Sequence, residues 1–301
     1  MRALNEYAKL VNSRLEELLP EMAQGIYEDG GRPWLVNNAM RYSIMAGGKR
    51  LRPSMLMAAA DMLGGDMNIA LDFGCAVEMI HTYSLIHDDL PGMDNDSMRR
   101  GRPTSHVVFG EGQAILAGDG LLNNAFEVML SAAAQAAGGH QALLRAIGEV
   151  AVGAGAKGMI GGQCMDLYCE REGVSGEKEL EYIHINKTAR MFMHPLRAAA
   201  FISGATDGEI DALTRYGRAF GILFQATDDI LDVIGDQSAV GKTLGKDADS
   251  GKLTCISMYG LEGTRALVKK EHDAARTALD AFGDRAEFFR ALVDDMVDRT
   301  Y

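Results

Sequence analysis

The chain has 301 residues, 47% hydrophobic and 24% charged, a balance that suits a globular protein of one large domain or two average ones. Its 30 Lys and Arg against 42 Asp and Glu leave a formal net charge of −12. That excludes a general nucleic-acid or anionic-membrane surface, since such partners need a basic footprint. No uncharged apolar run reaches the roughly 18 residues of a membrane span, and the first residues, Met1 to Glu6, show no apolar signal core. The expectation is a cytoplasmic protein without a membrane partner. The four cysteines form no Cys-x-x-Cys pair, so buried free thiols are expected.

Taken in chain order, apolar residues recur at three- and four-residue spacing and predict helices over 4–28, 33–46, 53–63, 69–90 and 111–136. Further helices are expected over 140–170, 177–203, 207–234, 253–282 and 285–299. Phe73, Val77, Ile80 and Ser84 make one stripe; Ile210, Leu213, Gly217, Phe220 and Phe224 make another. Breaks fall at Gly30-Gly31, Gly47-Gly48, Gly64-Gly65, Pro91-Gly92, Gly138-Gly139 and Gly235. Alternation of period two is scarce, and no Pro- or Ser-rich linker interrupts the chain. The reading is all-α: one domain over 1–301, a large helical bundle of the kind that holds ligands between facing helices.

Two aspartate clusters stand out. Asp88 and Asp89 fall in the last turn of the helix that Pro91 must end, with Asp94 just beyond. Carboxylates there oppose the helix dipole at a cost of about 0.3–1 kcal/mol each, and neighbouring acids repel. Gln225, Asp228, Asp229 and Asp232 share one face of a second helix end, directly after an apolar run. A solvated acidic helix end explains one such cluster as well as a site does; it explains two poorly. Hard carboxylate oxygens suit Mg²⁺ or Mn²⁺, and Mg²⁺ takes its remaining ligands from water and substrate phosphates. An EF-hand fails, because a loop opened at Asp94 has Ser105 where a bidentate Glu is required.

Basic groups accompany the acids. Gly47-Gly48-Lys49-Arg50-Leu51-Arg52 leads into a helix, a place where backbone N–H groups and cations hold phosphate. Arg99, Arg100 and Arg102 follow the first cluster; Lys242, Lys246 and Lys252 follow the second. A P-loop around Gly241-Lys242-Thr243 is rejected, because position 236 is Asp where Gly is needed. His81 lies two turns before Asp88 on the same face, either a core histidine or a diphosphate donor.

These residues carry a resemblance. Gly-Gly-Lys-Arg-Leu-Arg-Pro at 47–53, His-Asp-Asp-Leu-Pro-x-Met-Asp at 87–94, Arg-Arg-Gly-Arg-Pro-Thr at 99–104, Gly-Gly-Gln at 161–163, Lys-Thr at 187–188 and Phe-Gln-x-x-Asp-Asp-Ile-Leu-Asp at 224–232 stand in order. The sequence resembles the trans-type, head-to-tail isoprenyl diphosphate synthases, near the bacterial farnesyl and short-chain geranylgeranyl types. The resemblance implies a helical bundle with a deep central cavity, a homodimer and a Mg²⁺-dependent prenyltransferase. It implies that Asp88 and Asp94 bind Mg²⁺ on one wall and Asp228 on the facing wall, with Asp89 and Asp232 supporting, three ions per site and Mn²⁺ as a substitute. Gly48, Lys49, Arg52, His81 and Arg100 would hold isopentenyl diphosphate. Arg99, Lys187, Thr188, Gln225, Lys242 and Lys252 would hold the allylic dimethylallyl or geranyl diphosphate. The Lys187 and Thr188 carbonyls and the Gln225 amide oxygen would face the allylic cation, and the loop 235–252 would act as a lid.

Tyr83 lies five residues before Asp88, about 7.5 Å along a helix, next to the small Ser84. In the resembling family an aromatic residue there, with the Asp-Asp-x4-Asp spacing, goes with stopping at farnesyl diphosphate, so that product is expected, with geranylgeranyl diphosphate as the alternative. One departure is Cys255-Ile256, where the family has an aromatic residue after Gly251-Lys252-Leu253-Thr254; it puts the packing beneath Lys252 in question. A class I terpene cyclase has a different second metal motif and no second diphosphate pocket. A non-catalytic partner subunit typically loses one aspartate cluster, and both are intact here.

Overall fold

The computed structural model describes residues 2–23, 33–234 and 252–298. Apart from one two-strand hairpin, the regular structure of these residues is helical. The helices are α1 (Arg2–Leu18), α2 (Trp34–Ile44), α3 (Leu51–Met62), α4 (Met67–Asp88), α5 (Ser105–Phe109) and α6 (Glu111–Gln135). They continue with α7 (His140–Ala154), α8 (Met159–Glu172), α9 (Glu177–Ile183), α10 (Arg190–Ile202), α11 (Asp207–Ile234), α12 (Cys255–Ala278) and α13 (Glu287–Asp298). A π-helical turn, His184–Ala189, joins α9 to α10, and a 3₁₀ segment, Leu279–Ala286, joins α12 to α13. Strands β1 (Met98–Arg99) and β2 (Arg102–Pro103) pair antiparallel.

Four expected boundaries move, each for a local reason. α1 stops at Leu18 rather than running to residue 28, because Pro20 disfavours helix in the residue before it. The helix expected over 140–170 is two helices, broken around Gly158. A Cβ there would lie 2.1 Å from the Gly153 carbonyl oxygen, so only glycine fits the corner. The helix expected over 177–203 contains the π turn. The helix expected over 253–282 gives way to 3₁₀ geometry at Leu279. Residues 24–28 and 299 of the expected helices, and the breaks at Gly30-Gly31 and Gly235, lie outside the described residues.

Contacts divide the chain into two units. The first comprises Arg2–Met57 and Met67–His140. Its central element is α4, which packs against α1, α2 and α6. This helix is long and apolar enough to cross a membrane by composition, yet it is the core helix of its unit, with Phe73, Val77, Met79 and Ile80 fully buried. It also buries an ion pair. The Arg50 guanidinium donates to Glu78 Oε1 at 2.7 Å, to the Ile44 carbonyl at 2.5 Å and to Asn12 Oδ1 at 2.8 Å. The two side chains are 1% and 2% exposed.

Among the described residues, the second unit comprises Ala58–Asp66, 141–234 and 252–298. Here α11 is central, packed on α10, α12, α13 and the π turn. Tyr216, Phe220 and Phe224 of α11 meet one another, Phe192 and Phe289 at ring separations of 5.1–6.5 Å, contacts of about 0.5–1.5 kcal/mol each beyond area burial. Tyr216 is fully buried and its hydroxyl donates to the Phe289 carbonyl at 3.1 Å. Glu149 binds His194 at 2.7 Å and Arg197 at 2.8 Å. Burial opposes its ionisation, but these two partners win and hold its carboxyl down at about 2.

Removing one member of a buried ion pair strands the other charge, at a cost of about 3–5 kcal/mol. Arg50→Met is therefore expected to lower the unfolding free energy by about that much, measured by urea denaturation. The double variant Arg50→Met/Glu78→Leu should lose less than Arg50→Met alone. A double variant less stable than Arg50→Met would overturn this account of the pair.

Candidate active site

In the first unit, α4 ends at Asp88 and the chain turns through Pro91-Gly92. The Asp94 N–H donates to the Asp88 carbonyl at 2.8 Å, and those of Met93 and Asn95 both donate to the Leu90 carbonyl. One closed turn thus carries Asp88 and Asp94, both partly exposed. Asp89 differs: it is 3% exposed and its carboxylate is gripped by Arg99, with Nε at 2.8 and 2.9 Å and Nη2 at 2.6 Å. Burial pushes the Asp89 carboxyl up, and the guanidinium pulls it part of the way back.

The hairpin explains where Arg99 comes from. Arg99 pairs with Arg102 across a two-residue turn, Arg100-Gly101. Both turn residues have positive φ, 51° and 74°, the signature of a type I′ turn, which matches strand twist. Arg100 accepts this conformation, uncommon for a residue with a Cβ, while donating to the Gly47 carbonyl. Its guanidinium lies flat against Gly48, whose φ is 119° and where a Cβ would sit 2.7 Å from Arg100 Cζ. Gly48 and Arg100, both assigned to isopentenyl diphosphate from sequence, are thus brought together. Burial, then the charges of Arg52 and Arg100, push the His81 imidazole well below its ordinary range, so it stays neutral among arginines. Lys49 is exposed on the same loop.

Tyr83 is buried, edge-on to His87 at 5.7 Å and 83°. Its hydroxyl has no hydrogen-bond partner among the described residues. Burial and the Asp88 charge push the phenol up to about 12. Ser84 turns its hydroxyl back to the His81 carbonyl at 2.9 Å. His87 bonds the Ile115 carbonyl at 3.1 Å and fills the space that a Cβ on Gly118 would take, 2.1 Å from Nε2.

In the second unit, the π turn holds Lys187 and Thr188. A π turn carries one residue more than an α turn, and such bulges are frequent at functional sites. Lys187 Nζ binds Asp166 Oδ2 at 2.6 Å. Thr188 Oγ1 donates to Gln225 Oε1 at 3.0 Å, and Gln225 Nε2 donates to Asp229 Oδ1 at 3.0 Å. The Cys255 N–H donates to Asp229 Oδ2 at 2.7 Å. Asp228 and Asp232 are partly exposed, while Asp229 is 4% exposed. The Cys255 departure is a buried thiol at the first turn of α12, 3.7 Å from His184 Nδ1. Donor atoms of His184, Asp229 and Cys255 all lie within 4.8 Å of one another. Burial, then the Asp229 charge, keeps the Cys255 thiol protonated, and burial lowers His184 to about 4, so the three read as a hydrogen-bonded knot. Lys252 is described; Lys242, Lys246 and the expected lid residues 235–251 lie outside the described residues.

The sequence reading passed over Asp166, and it counted Asp229 in the second aspartate cluster without giving it a role of its own. Asp166 had a signal: it follows Gly162 by four residues on one helix face. A Cβ on Gly162 would lie 2.2 Å from the Lys187 nitrogen, so Gly162 admits the π turn and Asp166 holds its lysine.

A polyprenyl synthetase family model matches residues 33–298. The chain belongs to the polyprenyl synthetase family. It is 43% identical over 277 residues to the heterodimeric geranylgeranyl pyrophosphate synthase large subunit 1, chloroplastic, of Arabidopsis thaliana, covering 91% of this chain and 72% of that protein. It is 44% identical to a chloroplastic geranylfarnesyl diphosphate synthase of Leucosceptrum canum, covering 94% of this chain and 76% of the relative. The crystal structure of an FPP/GFPP synthase from Zymomonas mobilis superposes with a TM-score of 0.83 at 33% identity, over 98% of this chain and 97% of that one. This polyprenyl synthetase is therefore a short-chain trans-prenyltransferase of isoprenoid biosynthesis, from a family that uses a divalent metal.

Gly162→Ala is expected to displace the π turn. Misplacing a reacting group by about 1 Å costs roughly 100-fold in rate, so prenyl transfer should fall by that order, with a lower thermal midpoint. A variant with unchanged rate and midpoint would refute the close approach.

Proposed function

We propose that this synthase condenses isopentenyl diphosphate with dimethylallyl and then geranyl diphosphate, with farnesyl diphosphate as its main product. The observation that carries the product length is Tyr83, a buried ring five residues before Asp88 that a lengthening chain would have to displace. The second reading is geranylgeranyl diphosphate, favoured by relatives 43% identical and named for that product.

The carboxylates fit a hard divalent ion: Asp88, Asp94, Asp228 and Asp232 are each partly exposed, on a helix or in the turn that follows one. We propose Asp88, Asp94 and Asp228 as the Mg²⁺ ligands, three ions per site, with Asp232 supporting and Asp89 acting through its hold on Arg99. Mg²⁺ would neutralise the leaving diphosphate. Lys49, Arg52, His81 and Arg100, with the Gly48 backbone, would bind isopentenyl diphosphate. Arg99, Lys187, Lys242 and Lys252 would bind the allylic diphosphate. The Lys187 and Thr188 carbonyls and the Gln225 oxygen would stabilise the allylic cation as preorganised dipoles. A homodimer is the proposed assembly; a heterodimer is the alternative, as in the name of one relative. A cytoplasmic location is proposed with it, in keeping with four free thiols; Cys75, Cys169 and Cys255 are buried as expected, whereas Cys164 is exposed.

Incubation with isopentenyl and geranyl diphosphates and Mg²⁺ should give farnesyl diphosphate, resolved by chromatography of the dephosphorylated products. Tyr83→Ala should shift the output to longer chains. Mainly C15 product from that variant would sink the proposed floor, and mainly C20 product from the parent would favour the second reading. Asp88→Ala and Asp228→Ala should each lower turnover by at least roughly 100-fold; near-normal rates would remove them as metal ligands.

A further inference from the structure

Asp229 sits in the second aspartate cluster, yet its surroundings differ from those of Asp228 and Asp232. It is buried, and each carboxylate oxygen accepts a hydrogen bond from a fixed donor. One donor is the backbone N–H of Cys255, the first residue of α12, whose helix start is locked by a reciprocal capping box between Thr254 and Ser257. The other is the Gln225 side-chain amide. An ionised carboxylate accepts and cannot donate, so the end of the amide turned toward Asp229 must be the NH₂. The amide oxygen is thereby forced to the opposite side, where Thr188 Oγ1 donates to it.

We infer that Asp229 is a positioning residue: it reads the N-terminus of α12 with one oxygen and uses the other to fix the Gln225 amide with its oxygen toward Thr188. The inference rests on the proposed role of the Gln225 oxygen beside the allylic cation and adds what sets its orientation. A cation is stabilised by an amide oxygen and repelled by an amide NH₂, so a reversed amide would change the sign of the interaction. The carboxylate prevents that reversal, because a reversed amide would oppose its oxygen to Asp229. Position 255 supplies a main-chain donor here, which any residue but proline can do, so the exchange of an aromatic residue for cysteine leaves this contact intact.

The test uses Asp229→Asn and Asp229→Ser, each alone and combined with Gln225→Ala. Asn keeps the shape but can satisfy only one of the two donors, leaving the Gln225 amide free to turn. The expected result is a kcat lower by roughly 100-fold, the order seen for a misdirected reacting group. KM for both substrates and the Mg²⁺ half-saturation should stay unchanged, and the double variant should be no slower than Gln225→Ala alone. A raised Mg²⁺ requirement, multiplying losses in the double variant or an unchanged kcat would each overturn the inference.

Cys255→Pro gives an independent route should the Asp229 variants not fold. Proline is accepted at the first helical position, and Thr254 is already extended with φ −121° and ψ 164°. It removes the N–H that Asp229 accepts and puts the ring Cδ where that hydrogen pointed, so the carboxylate must turn away from α12; Cys255→Ala, which keeps that N–H, is the reference. A kcat equal to that of Cys255→Ala would count against the inference. The Gln225 side-chain amide protons, followed by nitrogen-edited NMR, need no turnover. They should be protected from exchange in the parent and lose that protection in Asp229→Asn. This readout decides the inference even if the parent fails to condense the proposed substrates; protection retained in Asp229→Asn would overturn it.

Discussion

The second unit depends on one ridge of α11. Gly217, Gly221, Gln225 and Asp229 stand four residues apart, so they line up along one side of the helix. The two glycines let neighbouring backbone come unusually close: a Cβ on Gly217 would lie 2.6 Å from Met193 Cα, and one on Gly221 would lie 2.3 Å from Ala189 Cα. That approach sets the height of the π turn against α11. The next two ridge positions then meet Thr188 and Cys255 with polar groups instead of with a void. Close packing below and hydrogen bonding above thus share one ridge.

Burial divides the aspartates into two kinds. Asp89 and Asp229 are the buried members, and each is answered by protein donors: a guanidinium in one case, an amide and a helix N-terminus in the other. A buried carboxylate without such partners would be prohibitively costly. Asp88, Asp94, Asp228 and Asp232 keep partial exposure, which suits the ligands proposed for a hydrated, slowly dehydrating ion such as Mg²⁺. Adjacent residues on a helix point about 100° apart, so in each Asp-Asp pair one side chain turns inward and the other remains available.

The same division holds among the cations of the first unit. Arg50 is structural, buried on Glu78. Arg99 is oriented by Asp89, and Arg100 is presented from a type I′ turn against glycine backbone. The missing side chain of Gly48 is what lets a guanidinium lie so close, in a loop where Gly47 and Gly48 both have positive φ. The run of basic residues is thus a set of distinct parts, and composition alone could not sort them.

Much of this was legible in the chain itself. Period, breakers and capping residues are local, so the helical class and the ends near Gly64, Asp88 and Ile202 follow from neighbouring residues. The carboxylate clusters were visible because acids at an apolar helix end need an external reason. Other features were not local. The π turn depends on Gly162 and Gly221 approaching from other helices, the Arg99–Asp89 pair on a hairpin, and the Lys187–Asp166 pair on two helices meeting. Local sequence was enough for the helical class, the family and the residue types available for chemistry. Only the tertiary structure decided which aspartate is held by protein donors and which stays exposed, because burial and hydrogen-bond partners belong to the packed neighbours of a side chain and not to its position along the chain.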